Sequence, residues 1–390
     1  MNLHDKSLYA DWHASASRSG RESGTYTALV LQGGGALGAY QAGVYEALAA
    51  EDMRPDWVSG ISIGAINAAI IAGNPVGQRV KALRAFWEKA SSELLYRLDE
   101  PIGFARRAFN ETSALIASTI GIPGFFNPRL PMPLPEWPAE FDQLSYYDTT
   151  PLRATLLELV DFDRINKGKT RLSVGAVNVL NGNFVYFDSF ERKLGPEHIM
   201  ASGALPPGFP PVQIDGEWYW DGGLVSNTPL QYVLDNRPPC AMEVFQVDLF
   251  SSRGEVPRTM ADIVQREKDI RFSSRTRQGT DMSRQLQALR AAARRLADKL
   301  PEDLRTDPDL AKLLACRPEG PVAVMHLINR PRGYETNSKD YEFSRMTVEE
   351  HWQAGKADAI FSLEHPDWMN RTIEPDEIAT FDLACERDRT

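Results

Sequence analysis

The 390-residue chain is 43% hydrophobic and 25% charged, enough to bury a sizeable core as one large α/β domain with additions or as two modest domains, and too apolar for general disorder. Its formal net charge of −10 argues against a nucleic-acid partner, because neutralising phosphates takes a strongly basic face. Cys240, Cys316 and Cys385 make neither a metal spacing nor a disulfide framework, and the chain has no signal-peptide core in its polar first 24 residues and no 18-residue apolar run, so a cytoplasmic protein is expected.

Residues 1–24, with Asp5, His13, Arg18 and Arg21 scattered through them, are expected to be a mobile polar arm, and the ordered fold to begin near Tyr26. The apolar run Ala28-Leu29-Val30-Leu31 reads as a strand covered on both faces. Gly33-Gly34-Gly35-Ala36-Leu37-Gly38 follows it and leads into a helical stretch from Ala39 to Ala50. After the short run Trp57-Val58 comes Gly60-Ile61-Ser62-Ile63-Gly64, then a small-residue helix from Ala65 to Ile71. Strand, glycine loop, helix, strand, tight turn and helix within about fifty residues make a βαβα unit, the kind that builds a parallel sheet.

Between 100 and 150 the character changes. Pro101, Pro123, Pro128, Pro131, Pro133, Pro135 and Pro138 punctuate a segment that also holds Phe104, Phe109, Phe125, Phe126, Trp137 and Tyr147. The prolines forbid a long regular helix through its second half. Two interpretations stand at this point: a lid over an active site, or an ordinary insertion whose aromatic side chains pack on the core.

Strands are expected again at Leu172–Val177 and, after the hairpin signal Asn181-Gly182, at Phe184–Phe187. The aromatic run Trp218-Tyr219-Trp220 leads to Asp221-Gly222-Gly223, and Thr228-Pro229 has the form of a helix N-cap and first-turn proline. Val244–Phe250 is a further buried strand. In the charged helical region 255–316, Leu286, Leu289, Ala293, Leu296 and Leu300 recur at helical spacing, while Arg290, Arg294, Arg295 and Lys299 take other faces. That stripe suits packing or a dimer contact, and its basic side suits transient contact with an anionic membrane. Val322–Ile328 is expected as a final strand, and Thr347–Leu363 as a closing helix.

Three of these motifs divide the labour of acyl transfer. A serine on a strand-to-helix turn has its hydroxyl pushed out of the sheet, and flanking Gly60 and Gly64 leave room for the bend. Ser62 is the candidate nucleophile, Asp221 the general base, and the N–H groups of Gly33, Gly34 and Gly35 the oxyanion donors. No histidine, metal or cofactor is needed.

In that chain order the glycine-rich loop, the G-x-S-x-G serine and the D-G-G aspartate resemble the patatin-like phospholipases, as does the segment Ala201-Ser202-Gly203-Ala204-Leu205-Pro206 with Phe209-Pro210-Pro211-Val212. The resemblance covers roughly residues 25–250. It implies a three-layer α/β/α fold with a mainly parallel sheet, a Ser62–Asp221 dyad, Gly38 and Gly222 as further motif glycines, and hydrolysis of lipid acyl esters without a cofactor. It divides the chain into an arm (1–24), a catalytic domain (25–250) and a helical extension (251–390). Many of the family carry Arg or Lys where this chain has Leu37. A neutral acyl ester therefore fits better than an anionic headgroup, and Leu37 with the aromatic insertion suggests an apolar acyl pocket.

Two rivals use some of the same residues. Gly33, Gly35 and Gly38 satisfy the dinucleotide fingerprint G-x-G-x-x-G, but that site expects an acid at the end of the second strand, and Asp56 precedes that strand. An α/β-hydrolase triad would recruit His198, His326, His351 or His365, yet only one βα unit precedes Ser62 and none of the histidines lies in a recognisable motif. A lipid-binding protein without catalysis is the third alternative, in which Asp221 merely caps a turn.

Overall fold

The computed structural model describes residues 24–91, 104–134, 136, 138–274, 276–301, 304, 307–310, 320–330, 335–374 and 377–387. The expected arm up to residue 23, Pro101, Pro135, Trp137 and Cys316 lie outside the described residues.

Strand β1 (Tyr26–Leu31) is buried at every position, and its two faces feed different cores. Leu29 and Leu31 join the large cluster with Val58, Phe245 and Trp352, whereas Ala28 and Val30 join a second with Trp57, Val233 and Val324. A continuous apolar run is what a strand sandwiched between two helix layers requires.

Helix α1 (Ala39–Ala50), strand β2 (Trp57–Gly60) and helices α2 (Ile63–Ala72) and α3 (Arg79–Lys89) complete the N-terminal unit. Next come α4 (Phe104–Ile120), the short pair β3 (Asn127–Pro128) and β4 (Tyr147–Asp148), α5 (Thr150–Leu159) and α6 (Phe162–Asn166). Strands β5 (Arg171–Asn178) and β6 (Phe184–Asp188) form the hairpin, followed by α7 (Pro196–Ser202), β7 (Val212–Ile214), β8 (Glu217–Asp221), α8 (Leu230–Asp235) and β9 (Met242–Asp248). The chain continues through α9 (Met260–Phe272), α10 (Thr276–Ala297), β10 (Val322–Ile328), α11 (Arg345–Glu364), α12 (Pro366–Met369) and β11 (Ile378–Phe381).

The nine-stranded sheet runs β11-β10-β9-β1-β2-β5-β8-β7, with β6 on the other edge of β5. From β11 to β5 the strands are parallel; β6 and β8 run antiparallel to β5, and β7 pairs antiparallel with β8. The architecture is the three-layer α/β fold with a mainly parallel sheet. Strand β10 is not the last strand, since β11 pairs with it in parallel, so the chain beyond residue 250 adds helices outside the sheet and two strands to the same sheet. Among the described residues no helix is long and apolar enough to cross a membrane.

Helix α11 packs on α1 with backbones almost touching. A Cβ on Gly43 would sit 1.8 Å from the Trp352 carbonyl oxygen, and one on Gly355 would sit 2.0 Å from that of Tyr40. Both contacts are with backbone, which cannot rotate away. Gly43→Ala is therefore expected to cost about 3 kcal/mol by overpacking, read as a lower denaturant midpoint at unchanged slope.

Two local expectations are corrected. Thr228 does not cap α8, which is preceded by Pro229 with no side-chain cap; its hydroxyl instead accepts a hydrogen bond from Gln32 Nε2 at 2.9 Å and donates to Asp248. A buried amide and a buried carboxylate compete successfully for it. On α10, Leu289 and Leu296 point outward, and the buried side is Gln287, Ala291 and Ala297, which allow close approach to α8 and β11. Arg237 donates to Gln287 at 3.1 Å across that seam.

Candidate active site

Ser62 sits between the end of β2 and the start of α2 with φ 55° and ψ −124°. Such a conformation costs a non-glycine residue on the order of 1–3 kcal/mol and persists only where its surroundings enforce it. Here they do. The Ser62 N–H donates to the Ser202 carbonyl and reaches the Ser202 hydroxyl, each at 3.1 Å, while Ile61 N–H donates to the Leu31 carbonyl at 3.1 Å. The flanking glycines are steric necessities: a Cβ on Gly60 would lie 2.3 Å from the Gly64 carbonyl oxygen, and one on Gly64 would lie 2.4 Å from that of Leu31.

Strand register brings Asp221 to this turn. Gly60 lies opposite Val174 of β5, and Asp221, the last residue of β8, lies opposite Ala176 two positions further on. Because β6 occupies the other edge of β5 along 173–177, β2 and β8 follow one another along a single edge. The Asp221 carboxylate is buried, accepts the Gly223 N–H at 2.7 Å and accepts the Ser62 hydroxyl. Burial pushes its pKa up to about 7, with the bonds from Ser62 and Gly223 pulling the other way. A carboxylate poised near neutrality can hold or release a proton at little cost, as a general base must.

The glycine loop lies against the serine, since a Cβ on Gly33 would come within 3.0 Å of Ser62 Cβ. Its three N–H groups are not equivalent, however. Gly33 N–H donates to the Asn227 carbonyl at 3.2 Å, and Asn227 Nδ2 returns a bond to the Gly33 carbonyl at 3.0 Å. That engagement occupies the Gly33 N–H within the protein. The N–H groups of Gly34 and Gly35 have no acceptor among the described residues, and neither does that of Ile63 at the first turn of α2. The Ile63 N–H is the first of α2, held next to Ser62 by the same turn, where a helix N-terminus favours negative charge. Gly38 and Gly222 lie beside the site: Gly38 packs on Ile63 and Trp87, and Gly222 opens the turn after Asp221.

Ser62, Asp221 and the glycine loop open into a cavity of about 470 Å3 whose largely apolar walls include a cluster of aromatic rings. Phe125, Phe126 and Tyr147 come from the 100–150 segment, Phe209 from the proline-rich turn before β7, and Phe343 from the loop before α11. Their rings interlock, with Phe126 to Tyr147 at 4.7 Å, Phe126 to Phe209 at 5.3 Å and Phe125 to Phe343 at 5.8 Å. Leu37 is not part of this wall; it is fully buried in the core.

The residues of the rival sites go elsewhere. None of His198, His326, His351 and His365 lines the cavity. His198 accepts the Gly195 N–H at 3.0 Å and packs edge-on against Phe187, and burial lowers its pKa. Asp56 accepts the Thr27 N–H at 2.9 Å and stands before β2, far from the end of that strand where a ribose-binding acid belongs. Among the described residues no three His, Cys, Asp or Glu side chains converge as a metal site.

A family model described as patatin-like phospholipase matches residues 29–234, and a second, described as patatin phospholipase, matches residues 270–374. The chain belongs to the patatin-like phospholipase family. Similar solved structures include VipD from Legionella pneumophila, at 14% identity and TM-score 0.36, covering 86% of this chain and 66% of that one. Human GIVD cytosolic phospholipase A2 is 12% identical with TM-score 0.35, covering 61% and 45% of the two chains. The ExoU–SpcU complex of the Pseudomonas aeruginosa type III secretion system is 16% identical with TM-score 0.29, covering 74% and 58%. This chain thus spans less than two thirds of the length of each. No curated protein sequence matches it.

The second family match bears on the site directly, because its span contains Phe272, Asp340, Tyr341 and Phe343, all of which line the cavity. In this patatin-like protein the C-terminal region thus forms one wall of the pocket. Phe272 also supplies a carbonyl that accepts Asn227 Nδ2 at 2.8 Å, tying the end of α9 to the residue that engages Gly33. Beneath the loop, Gln41 Nε2 donates to the Gln32 carbonyl at 2.7 Å, Asn67 Nδ2 donates to Gln41 at 2.9 Å, and Trp87 donates to Asn67 at 3.1 Å. No motif in the sequence marked these residues.

Proposed function

We propose that this protein is a serine hydrolase of lipid acyl esters working through a Ser62–Asp221 dyad. The observation that carries the proposal is the hydrogen bond from the Ser62 hydroxyl, held at positive φ, to a buried carboxylate with a pKa of about 7. Asp221 takes the Ser62 proton as Ser62 Oγ bonds to the acyl carbonyl carbon. The carbonyl oxygen becomes an oxyanion facing the N–H groups of Gly34, Gly35 and Ile63. Collapse of the tetrahedral intermediate breaks the ester C–O bond, and the departing alkoxide recovers the proton from Asp221. Water, deprotonated by Asp221, then attacks the acyl-Ser62 carbonyl; collapse breaks the Ser62 C–O bond and releases the acid, and Ser62 Oγ recovers the proton from Asp221. The aromatic walls supply an apolar berth for the acyl chain, and the scheme calls on no metal or cofactor.

Asp221 must be ionised to act. For a soluble acyl ester, kcat/KM is expected to rise about tenfold per pH unit below roughly pH 7 and to level off above it. The measurement is initial rate against pH from 5 to 9. A profile that is flat, or that inverts, would count against Asp221 as the base.

A further inference from the structure

Between residues 337 and 341 the chain crosses over the glycine loop. The Asp340 carbonyl accepts the Ala36 N–H at 2.8 Å, and a Cβ on Gly35 would lie 2.1 Å from that same oxygen. Asp340 therefore packs directly on the segment that carries the N–H groups of Gly34 and Gly35. What holds Asp340 there is charge. Lys268, almost fully buried on α9, donates to the Asp340 carboxylate, to the Asn337 carbonyl at 2.9 Å and to the Tyr341 hydroxyl at 2.8 Å. The neighbouring pair is crossed over: Lys339 meets Asp269 at 2.7 Å, with both side chains again buried. Consecutive residues of α9, Lys268 and Asp269, thus contribute a cation and an anion, and consecutive residues of the loop, Lys339 and Asp340, contribute a cation and an anion in return.

We infer that this double ion pair is a positioning clamp for the oxyanion loop, with Lys268 as its principal residue. The inference rests on the hydrolase proposal above. Lys268 does not line the cavity; it fixes where Gly34 and Gly35 point by fixing the carbonyl that engages Ala36. Its placement explains why the C-terminal region forms part of this site. Three donors spent by one buried ammonium on a single five-residue stretch define that stretch far more tightly than apolar packing would, because each bond has its own direction. A misplacement of about 1 Å at donors to a developing oxyanion is enough to cost on the order of a hundredfold in rate.

The test compares wild type with Lys268→Met, Lys268→Arg and Asp340→Asn in the full-length protein. Three readouts are taken: kcat and KM on a soluble acyl ester, the rate of covalent labelling by a fluorophosphonate, and amide hydrogen exchange. For Lys268→Met the expected result is a fall in kcat of about ten- to a hundredfold with KM changed less than about threefold. The labelling rate is expected to fall in parallel, and the Ala36 amide to exchange faster while the amides of β1 do not. Asp340→Asn, which keeps the carbonyl and the side-chain shape, is expected to show the same pattern more weakly, and serves if Lys268→Met fails to fold. Lys268→Arg, which keeps the charge, is expected to recover part of the loss. Full kcat and an unchanged Ala36 amide in folded Lys268→Met or Asp340→Asn would overturn the clamp. So would a loss that only tracks the unfolded fraction, with every amide exchanging faster. Wild type that neither cleaves esters nor takes the phosphonate would overturn the hydrolase proposal and the clamp with it; labelled wild type beside fully active variants overturns the clamp alone.

Discussion

Ser62→Ala is expected to lower acyl-ester hydrolysis by about four orders of magnitude or more, because the proposed mechanism forms its covalent intermediate on the residue removed. Neither oxyanion donors nor acyl pocket is touched, so ester binding should persist while turnover disappears. The backbone is expected to stay in place, since Ser62 N–H is anchored on Ser202 and the turn is closed by backbone contacts of Gly60 and Gly64. Alanine at φ 55° is strained as serine is. The side chain does contribute one bond, to Asp221, and that bond lowers the Asp221 pKa. Its loss should leave Asp221 more readily protonated, with no buried negative charge stranded. The check is turnover with folding verified by circular dichroism; measurable turnover in folded Ser62→Ala would exclude Ser62 as nucleophile.

Asp221→Asn is expected to move activity and stability in opposite directions. Activity should drop by about three to four orders of magnitude, since an amide cannot accept the serine proton. The pH inflection near 7 should vanish with it. Stability works the other way. The folded-state pKa of about 7 lies above the ordinary value of 3.8, so between those values the folded protein binds the proton more tightly than the unfolded chain does. Raising the pH from 4 to 8 therefore costs wild type stability, by about 1.4 kcal/mol for each pH unit between the two values, or on the order of 4 kcal/mol in all. Asparagine does not ionise. The variant should consequently lose less stability than wild type over that range and exceed it at pH 8. Chemical denaturation at pH 4 and pH 8 measures this directly, and a variant less stable than wild type at both would refute the account of Asp221 as a buried, strained base. Strain of this kind is what a site built for proton transfer carries at the expense of fold stability.

The contrast between what the sequence discloses and what it hides follows the range of the interactions. The unit from β1 through the Ser62 turn to α2 was legible because its determinants are local: an apolar run, glycines where no Cβ fits, and small residues in a helix. The hairpin at Asn181-Gly182 was legible for the same reason. Asp221 was legible through its glycine turn, although its nearness to Ser62 depends on a register along β5 that no local pattern encodes. Nothing local distinguishes Gly33 from Gly34 and Gly35, because the bond that engages its N–H comes from Asn227, 194 residues away. Lys268, Asp340 and Phe343 went unmarked because a lysine, an aspartate and a phenylalanine in charged or aromatic surroundings look ordinary until folding sets them on the glycine loop. The stripe on α10 misled for a different reason. Leucine spacing identifies a helix, but the helix turned its small residues inward, where Gln287 could meet Arg237.

The central claim, that Ser62 is an activated nucleophile, is tested most directly by intact-mass spectrometry after incubation with a fluorophosphonate, followed by peptide mapping of wild type and Ser62→Ala. In this reaction the serine oxygen bonds to phosphorus and fluoride departs, which demands an activated hydroxyl and leaves a fixed mass increment. A single stoichiometric adduct is expected on the peptide bearing Ser62, absent in Ser62→Ala and forming faster at pH 8 than at pH 6. No adduct on folded wild type, or an adduct on another residue that persists in Ser62→Ala, would contradict it.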